Sequence, residues 1–162
     1  MGVEIERKFL VDRDKWHQQE KEAGTFYRQG YIVNETRKNV RIRVSDQQAY
    51  ITLKAGTKGI SRLEYEYEIP VTDGNELLEN FADTVVEKTR YRVLYAGKVW
   101  EVDEFTGENE GLIMAEIELK NEAENVEFPS WLLEEVTGDE RYYNSYLVNK
   151  PFKTWTTLTS EI

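Results

Sequence analysis

The chain has 162 residues, with 31 acidic and 21 basic side chains, one histidine and no cysteine, for a formal net charge of −10. That length suits one domain with a sizeable core. The acidic balance argues against nonspecific nucleic-acid or anionic-membrane partners, and the missing cysteine excludes a disulfide framework or a thiolate site.

Residues 3–11 (VEIERKFLV) alternate, and alternation is the mark of a strand. Glu4, Glu6 and Lys8 fall on one face, with Val3, Ile5, Arg7 and Phe9 on the other. Asp12 to Ala23 is polar and predicted helical, closed by Gly24. The lone His17 reads as a surface residue, since a zinc site would want several His or Cys. Strands are predicted over 26–34, 40–45 and 48–55, with polar turns at Asn34–Asn39 and Asp46–Gln47 and a flexible turn over Ala55–Gly59. A long strand over 61–70 ends at Pro70. Thr72 or Asp73 is placed to cap a short helix through Asn80, with Leu77, Leu78 and Phe81 on its apolar side.

Residues 85–95 and 98–105 read as a hairpin around Ala96-Gly97, and 112–120 as the last strand. Asn121 to Val126 is expected to form one helical turn, and Phe128, Trp131, Leu132 and Leu133 to pack under the sheet. Thr137 and Glu140 have capping-box spacing before a closing helix, Arg141 to Val148, and the tail from Thr154 is expected to be partly disordered. Trp16, Trp131 and Trp155 either cover helices or mediate a homodimer.

The first strand's pattern recurs. Arg41 and Arg43 alternate with Val40, Ile42 and Val44; Arg62, Glu64, Glu66 and Glu68 with Leu63, Tyr65, Tyr67 and Ile69. Lys88, Arg90 and Arg92 alternate with Thr89, Tyr91 and Val93; Glu101 and Asp103 with Trp100 and Val102; Glu116, Glu118 and Lys120 with Ala115, Ile117 and Leu119. Two arrangements answer to this. An open antiparallel sheet would turn its charged face to solvent. A closed sheet would line its own interior with it. The fold class expected is α+β: an eight-stranded antiparallel β-barrel, or tunnel, with peripheral helices and a C-terminal helix.

The charged face holds two kinds of group. Lys8, Arg41, Arg43, Lys54, Arg62, Lys88 and Arg90 suit phosphate oxygens, Arg through a bidentate fork and Lys as a compact charge. Glu4, Glu6, Glu64, Glu66, Asp103, Glu116 and Glu118 are hard oxygen donors. Without His or Cys among them, the implied metal is magnesium or manganese. There is no glycine-rich phosphate loop. The opposite parity of Tyr65, Tyr67, Tyr91, Tyr95 and Trp100 makes them outer-face packing. Arg62 and Arg92 also have acidic neighbours to pair with.

Glu4-Ile5-Glu6-Arg7-Lys8-Phe9 resembles the ExExK signature of the CYTH superfamily, the triphosphate tunnel metalloenzymes. It is joined in family order by Arg28-Gln29-Gly30-Tyr31, Arg41-Ile42-Arg43, Thr52-Leu53-Lys54 and Ser61 through Glu66. Then come Glu87 through Tyr91, Glu101-Val102-Asp103, Glu116-Ile117-Glu118, and Glu135-Val136-Thr137 through Tyr142. The resemblance implies a tunnel holding a triphosphate end to end. Glu4, Glu6, Glu116 and Glu118 would be the leading metal ligands, with Asp103, Glu64 and Glu66 as further candidates. Lys8, Arg41, Arg43, Lys54, Lys88 and Arg90 would grip phosphates. The short bacterial branch implies inorganic triphosphatase activity, with Lys8 and Tyr31 acting together in catalysis; the absence of cysteine fits a cytoplasmic location. Thiamine triphosphatase, class IV adenylate cyclase and a non-catalytic polyphosphate- or nucleotide-binding module are the alternatives.

Overall fold

Alternating side chains give each strand an apolar side and a charged side, and the chain places these on opposite surfaces of one sheet. A computed structural model describes residues 2–56 and 61–159; for Gly2, Glu4 and 156–159 it describes the backbone alone. The strands are β1 (Gly2–Val11), β2 (Thr25–Asn34), β3 (Lys38–Val44), β4 (Ala49–Gly56), β5 (Ser61–Ile69), β6 (Val85–Tyr95), β7 (Lys98–Phe105), β8 (Ile113–Glu118) and β9 (Leu132–Glu135). The helices are α1 (Arg13–Gln18), α2 (Val71–Phe81), α3 (Asn144–Leu147) and α4 (Phe152–Thr159).

The hydrogen-bonded order is β5-β4-β3-β2-β6-β7-β8-β1-β9, and β5 also pairs with β1. Every pairing is antiparallel. Eight strands therefore close into a ring, which leaves none of them with an open edge. β1 makes closure possible by dividing one of its edges. Gly2–Ile5 pair with β5, and Phe9 and Val11 pair with the short β9.

The apolar sides pack outward under separate covers. On the β1, β6, β7 and β8 side, Phe9, Val93, Trp100, Val102, Ala115 and Ile117 are buried beneath Trp16 of α1 and Trp131. Trp16 and Trp131 meet edge-on at 5.1 Å, and both are essentially inaccessible. These two tryptophans thus cover the chain's own surface. On the other side α2 lays Leu78 onto Ile42, Val44 and Ala49. A Cβ at Gly74 would stand 2.7 Å from the Ala49 Cβ, so glycine is what lets α2 approach the sheet.

The strands up to β8 lie where the alternation puts them, but β9 falls where Leu132 and Leu133 are expected only to pack under the sheet, and Leu133 is exposed; the helical expectations shift more. Residues 12–23 are helical only to Gln18; beyond it Lys21 donates to the carbonyls of Trp16 and Gln19. α2 begins at Val71 with Pro70 at its N-cap, so neither Thr72 nor Asp73 caps it. Residues 121–126 form no helix; the Asn121 side chain accepts from Ala123 N–H and that of Glu124 from Lys120 N–H. The closing helix is split into a 3-10 turn at Glu140–Tyr142 and α3. Asp139 caps that turn, because the Thr137 hydroxyl is engaged by Lys8 N–H and Glu135. The tail is helical to Thr159, with Trp155 packed on Tyr142, Tyr146 and Phe152. The expected turn at Thr57–Gly59 lies outside the described residues, as does the tail beyond Thr159. No described helix is long and apolar enough to cross a membrane.

Candidate active site

The charged parity of each strand faces inward, around a cavity of about 200 Å³. β1 contributes Glu6 and Lys8, β5 contributes Arg62, Glu64 and Glu66, and β4 contributes Lys54. β3 adds Asn39, Arg41 and Arg43; β2 adds Tyr31; β6 adds Lys88, Arg90 and Arg92. β7 adds Glu101, and β8 adds Glu116 and Glu118. Tyr143, Asn144 and Ser145 reach in from the C-terminal segment.

The strand order sorts these charges. Bases dominate the arc β4-β3-β2-β6, and acids dominate β7-β8-β1. β8 is four strands from β3 in either direction, so Glu116 and Glu118 lie across the ring from Arg41 and Arg43. Within the acidic arc, register sets Glu6 opposite Glu118 and Glu101 opposite Glu116. Lys8 is also opposite Glu116, and its Nζ comes within 3.4 Å of the carboxylate.

On the basic arc, Arg41 lies 3.7 Å from Glu66 and Lys54 lies 3.5 Å from Glu64. Arg43 stacks over Tyr27 at 4.7 Å and Tyr50 at 5.6 Å. The Nε groups of both Arg41 and Arg43 are buried and have no hydrogen-bond partner. Burial, then repulsion from Arg41 and Arg90, lowers the Arg43 pKa. This wall is short of negative charge.

Lys88, Arg90 and Asp103 form its foundation. Asp103 takes a two-pronged contact from Arg90 and a third from Lys88. Burial alone would raise the Asp103 pKa; the two cations outweigh it and hold the carboxyl well below its ordinary range. Burial brings the Lys88 ammonium down to about 7, with Asp103 opposing the shift and Arg90 adding to it. Glu116 is likewise held low: burial opposes this, but Lys8 and Arg90 prevail.

Most of the residues singled out in the sequence therefore come together. Lys8, Tyr31, Arg41, Arg43, Lys54, Arg62, Lys88, Arg90, Glu6, Glu64, Glu66, Glu116 and Glu118 all line one cavity. Asp103 sits behind the lining, committed to Lys88 and Arg90. The side chain of Glu4 lies outside the described residues. Tyr31 enters the same cavity as Lys8 from β2, four strands from β1 by either route round the ring. Lys8 donates to the Tyr142 carbonyl at 3.2 Å and sits 5.2 Å from the Tyr143 ring centre.

The site list drawn from the sequence omits Asn39, Arg92, Glu101, Tyr143, Asn144 and Ser145. Strand parity marks Arg92 and Glu101, and Asn39 shares the parity of Arg41 and Arg43 on β3; nothing in an alternation pattern marks the other three. Nor is the inner face charged from end to end. Leu10, Val86, Phe105 and Met114 share the charged parity but join an apolar cluster with Leu147, Val148 and Phe152, which stops that end of the ring. Among the described residues, no three Asp, Glu or His side chains stand close enough together to hold a metal ion in this conformation.

Comparison with known proteins extends these observations. Residues 2–145 match the CYTH domain. An inorganic triphosphatase of Acetivibrio thermocellus is 53% identical over 154 residues, spanning 94% of this chain and 97% of its own. An inorganic triphosphatase of Nitrosomonas europaea is 39% identical over 149 residues, spanning 90% of this chain and 96% of its own. A crystal structure of an inorganic triphosphatase superposes with a TM-score of 0.62 at 35% identity, covering 91% of this chain and 95% of that one.

Proposed function

We infer the function from the premise that the chain belongs to the CYTH domain family. We propose that it hydrolyses inorganic tripolyphosphate to diphosphate and phosphate, with a divalent cation, in the cytoplasm. Relatives at 53% and 39% identity bear the name inorganic triphosphatase. The observation that carries the reading within this molecule is the pair of buried, unpartnered Nε donors on Arg41 and Arg43. Buried donors without acceptors are costly. A polyanion that turns these guanidiniums toward the cavity would give both donors an acceptor and offset the repulsion from Arg41 and Arg90 that adds to burial in lowering the Arg43 pKa.

The acidic arc suits magnesium or manganese in donor chemistry. Glu6, Glu116 and Glu118 offer only hard oxygens, and Glu6 faces Glu118 in register. Like charges opposite each other across a ladder are unfavourable, and a divalent cation offsets them. Glu6, Glu116 and Glu118 would hold the ion by drawing closer together than they stand in this conformation, with Glu4 of β1 as the fourth leading candidate and Glu64 and Glu66 as further ones. When bound, the ion supplies positive charge at phosphoryl oxygens and makes a water more acidic.

The protein's own part is positioning and charge stabilisation, which dominate phosphoryl transfer. Arg41, Arg43, Lys54, Arg62, Lys88 and Arg90 come from four strands and grip different stretches of the chain of phosphates. Lys8 stands where the acidic and basic groups meet, beside Glu116 and under Tyr143. Its ammonium is placed to steady charge on the transferring phosphoryl group. Tyr31 meets the substrate from the opposite side of the ring.

A panel of tripolyphosphate, thiamine triphosphate and ATP with magnesium or manganese tests this, with products identified. Phosphate release fastest from tripolyphosphate is expected. Efficient cyclic AMP formation would change the substrate, and binding without turnover under all conditions would make the chain a non-catalytic module.

A further inference from the structure

The Lys88 ammonium has three protons to give. Two are taken: Asp103 Oδ2 accepts at 2.8 Å and Asn144 Oδ1 at 3.1 Å. A tetrahedral nitrogen with two bonds fixed has one direction left. Lys88 is 1% exposed, yet it lines the cavity.

Elementary chemistry fixes the orientation of the acceptor. The protonated Lys88 only donates, so the Asn144 atom facing it is the amide oxygen. Gln29 approaches that same oxygen at 2.7 Å and must therefore present its NH₂ group. Gln29 is fully buried and Asn144 nearly so. Charge on Lys88 thus sets the Asn144 amide, and Gln29 locks it from behind. Asn144 arrives from the C-terminal segment, which is anchored on either side. Lys8 donates to the Tyr142 carbonyl, and Asn34 donates to the Ser145 carbonyl at 2.8 Å.

We propose that Asn144 is a positioning residue for substrate binding: together with Asp103 it holds the Lys88 ammonium so that its third proton points at a phosphate oxygen in the cavity. Without Asn144 the ammonium could turn about its last bond, and the donor aimed at substrate would be one of two loose ones. The inference rests on the triphosphate reading of the cavity.

The test uses the binding of tripolyphosphate without metal, measured by calorimetry, so that turnover is not needed. Asn144→Ala should weaken binding about 10-fold, the scale of one hydrogen bond to a charged group. In a Lys88→Met background the same change should have less than about a 2-fold effect, because the group it positions is gone. Gln29→Met, which removes the bond to Asn144 at a residue outside the cavity lining, should weaken binding about 3-fold and add nothing on top of Asn144→Ala. Thermal melts run alongside. A merely structural Asn144 would give the same loss with or without Lys88, and that result would overturn the proposal, as would full affinity in folded Asn144→Ala. If Asn144→Ala does not fold, wild-type affinity in Gln29→Met overturns it instead. A wild-type chain that ignores tripolyphosphate would sink the triphosphate reading itself, a different outcome from binding without Asn144–Lys88 coupling.

Discussion

Arg90 grips Asp103 with two parallel hydrogen bonds, Nε to Oδ1 at 2.8 Å and an NH₂ group to Oδ2 at 2.9 Å, in a site where Asp103 is 2% exposed. Lys88 adds a third bond to the same carboxylate. One buried anion therefore holds two cavity-wall cations in place.

Removing that charge should be severe. Asp103→Asn keeps the shape but takes the shared counter-ion from two buried cations, leaving Arg90, among the described residues, only its 3.4 Å pair with Glu101, which is expected to cost about 3–5 kcal/mol in urea unfolding at neutral pH. The pH dependence follows from the depressed carboxyl. Its contribution is fully present above the unfolded pKa, roughly 4, and is lost as pH falls through the lower folded value. Wild-type stability should drop below about pH 4, and Asp103→Asn should lack that part of the drop. A variant as stable as wild type would mean that Lys88 and Arg90 do not need this carboxylate.

Arg43 should behave in the opposite way. It sits among Arg41 and Arg90 with its Nε unsatisfied, so the folded chain gains little from its charge. Arg43→Met is expected to leave the melting temperature unchanged or higher while reducing triphosphate hydrolysis by about 10²-fold, the scale of one preorganised electrostatic donor. Arg43→Lys should restore little, because the fork is lost. Matched losses of stability and activity would make Arg43 a structural residue.

Why the strands were legible and the ends were not is a matter of period. A two-residue repeat of Arg, Glu and Lys against Val, Ile and Tyr fixes both the strand and its inner face, which is why residues as distant as Lys8, Arg41 and Glu116 line the same cavity. Closure into a ring was not readable from alternation, because an open sheet has the same pattern; it depends on β1 dividing one edge between β5 and β9. Tyr143 and Asn144 enter on a segment with no repeat, and their positions are set by Lys8, Arg62 and Lys88 reaching for them. The same parity that marked the charges also carried Leu10, Val86 and Met114 inward, where only packing with Leu147 shows that the lining turns apolar.

The β6–β7 hairpin offers a stability test remote from the cavity. Tyr95 pairs with Lys98 across a two-residue turn in which Ala96 has φ 50 and Gly97 has φ 80. Both residues are left-handed, a conformation Gly adopts at no steric cost and Ala does not. Ala96→Asn should raise stability by about 0.5–1 kcal/mol, since Asn-Gly is the preferred pair for this turn. Hydrolysis should be unchanged, because Ala96 is not among the residues that line the cavity. A loss in the denaturation midpoint would show that the turn is held by something other than its own backbone preference.

Lys8 and Tyr31 provide the last test, and the ring sets its sign. Lys8 is on β1 and Tyr31 on β2, half the ring apart, and the Lys8 ammonium is hydrogen-bonded to the Tyr142 carbonyl. Tyr31 packs against the apolar cluster that stops one end, whereas Lys8 is held by Glu116 and the Tyr142 carbonyl. If each acts on the substrate from its own side, their contributions should be independent. Lys8→Ala is expected to lower kcat by about 10²-fold and Tyr31→Phe by less, with KM changed little. The double variant should lose the product of the two, within about 0.5 kcal/mol in transition-state free energy. A double variant no worse than Lys8→Ala alone would show that the two residues act as a unit, brought together by a movement of the ring around its substrate. Wild-type turnover in Tyr31→Phe would leave the phenol with packing alone.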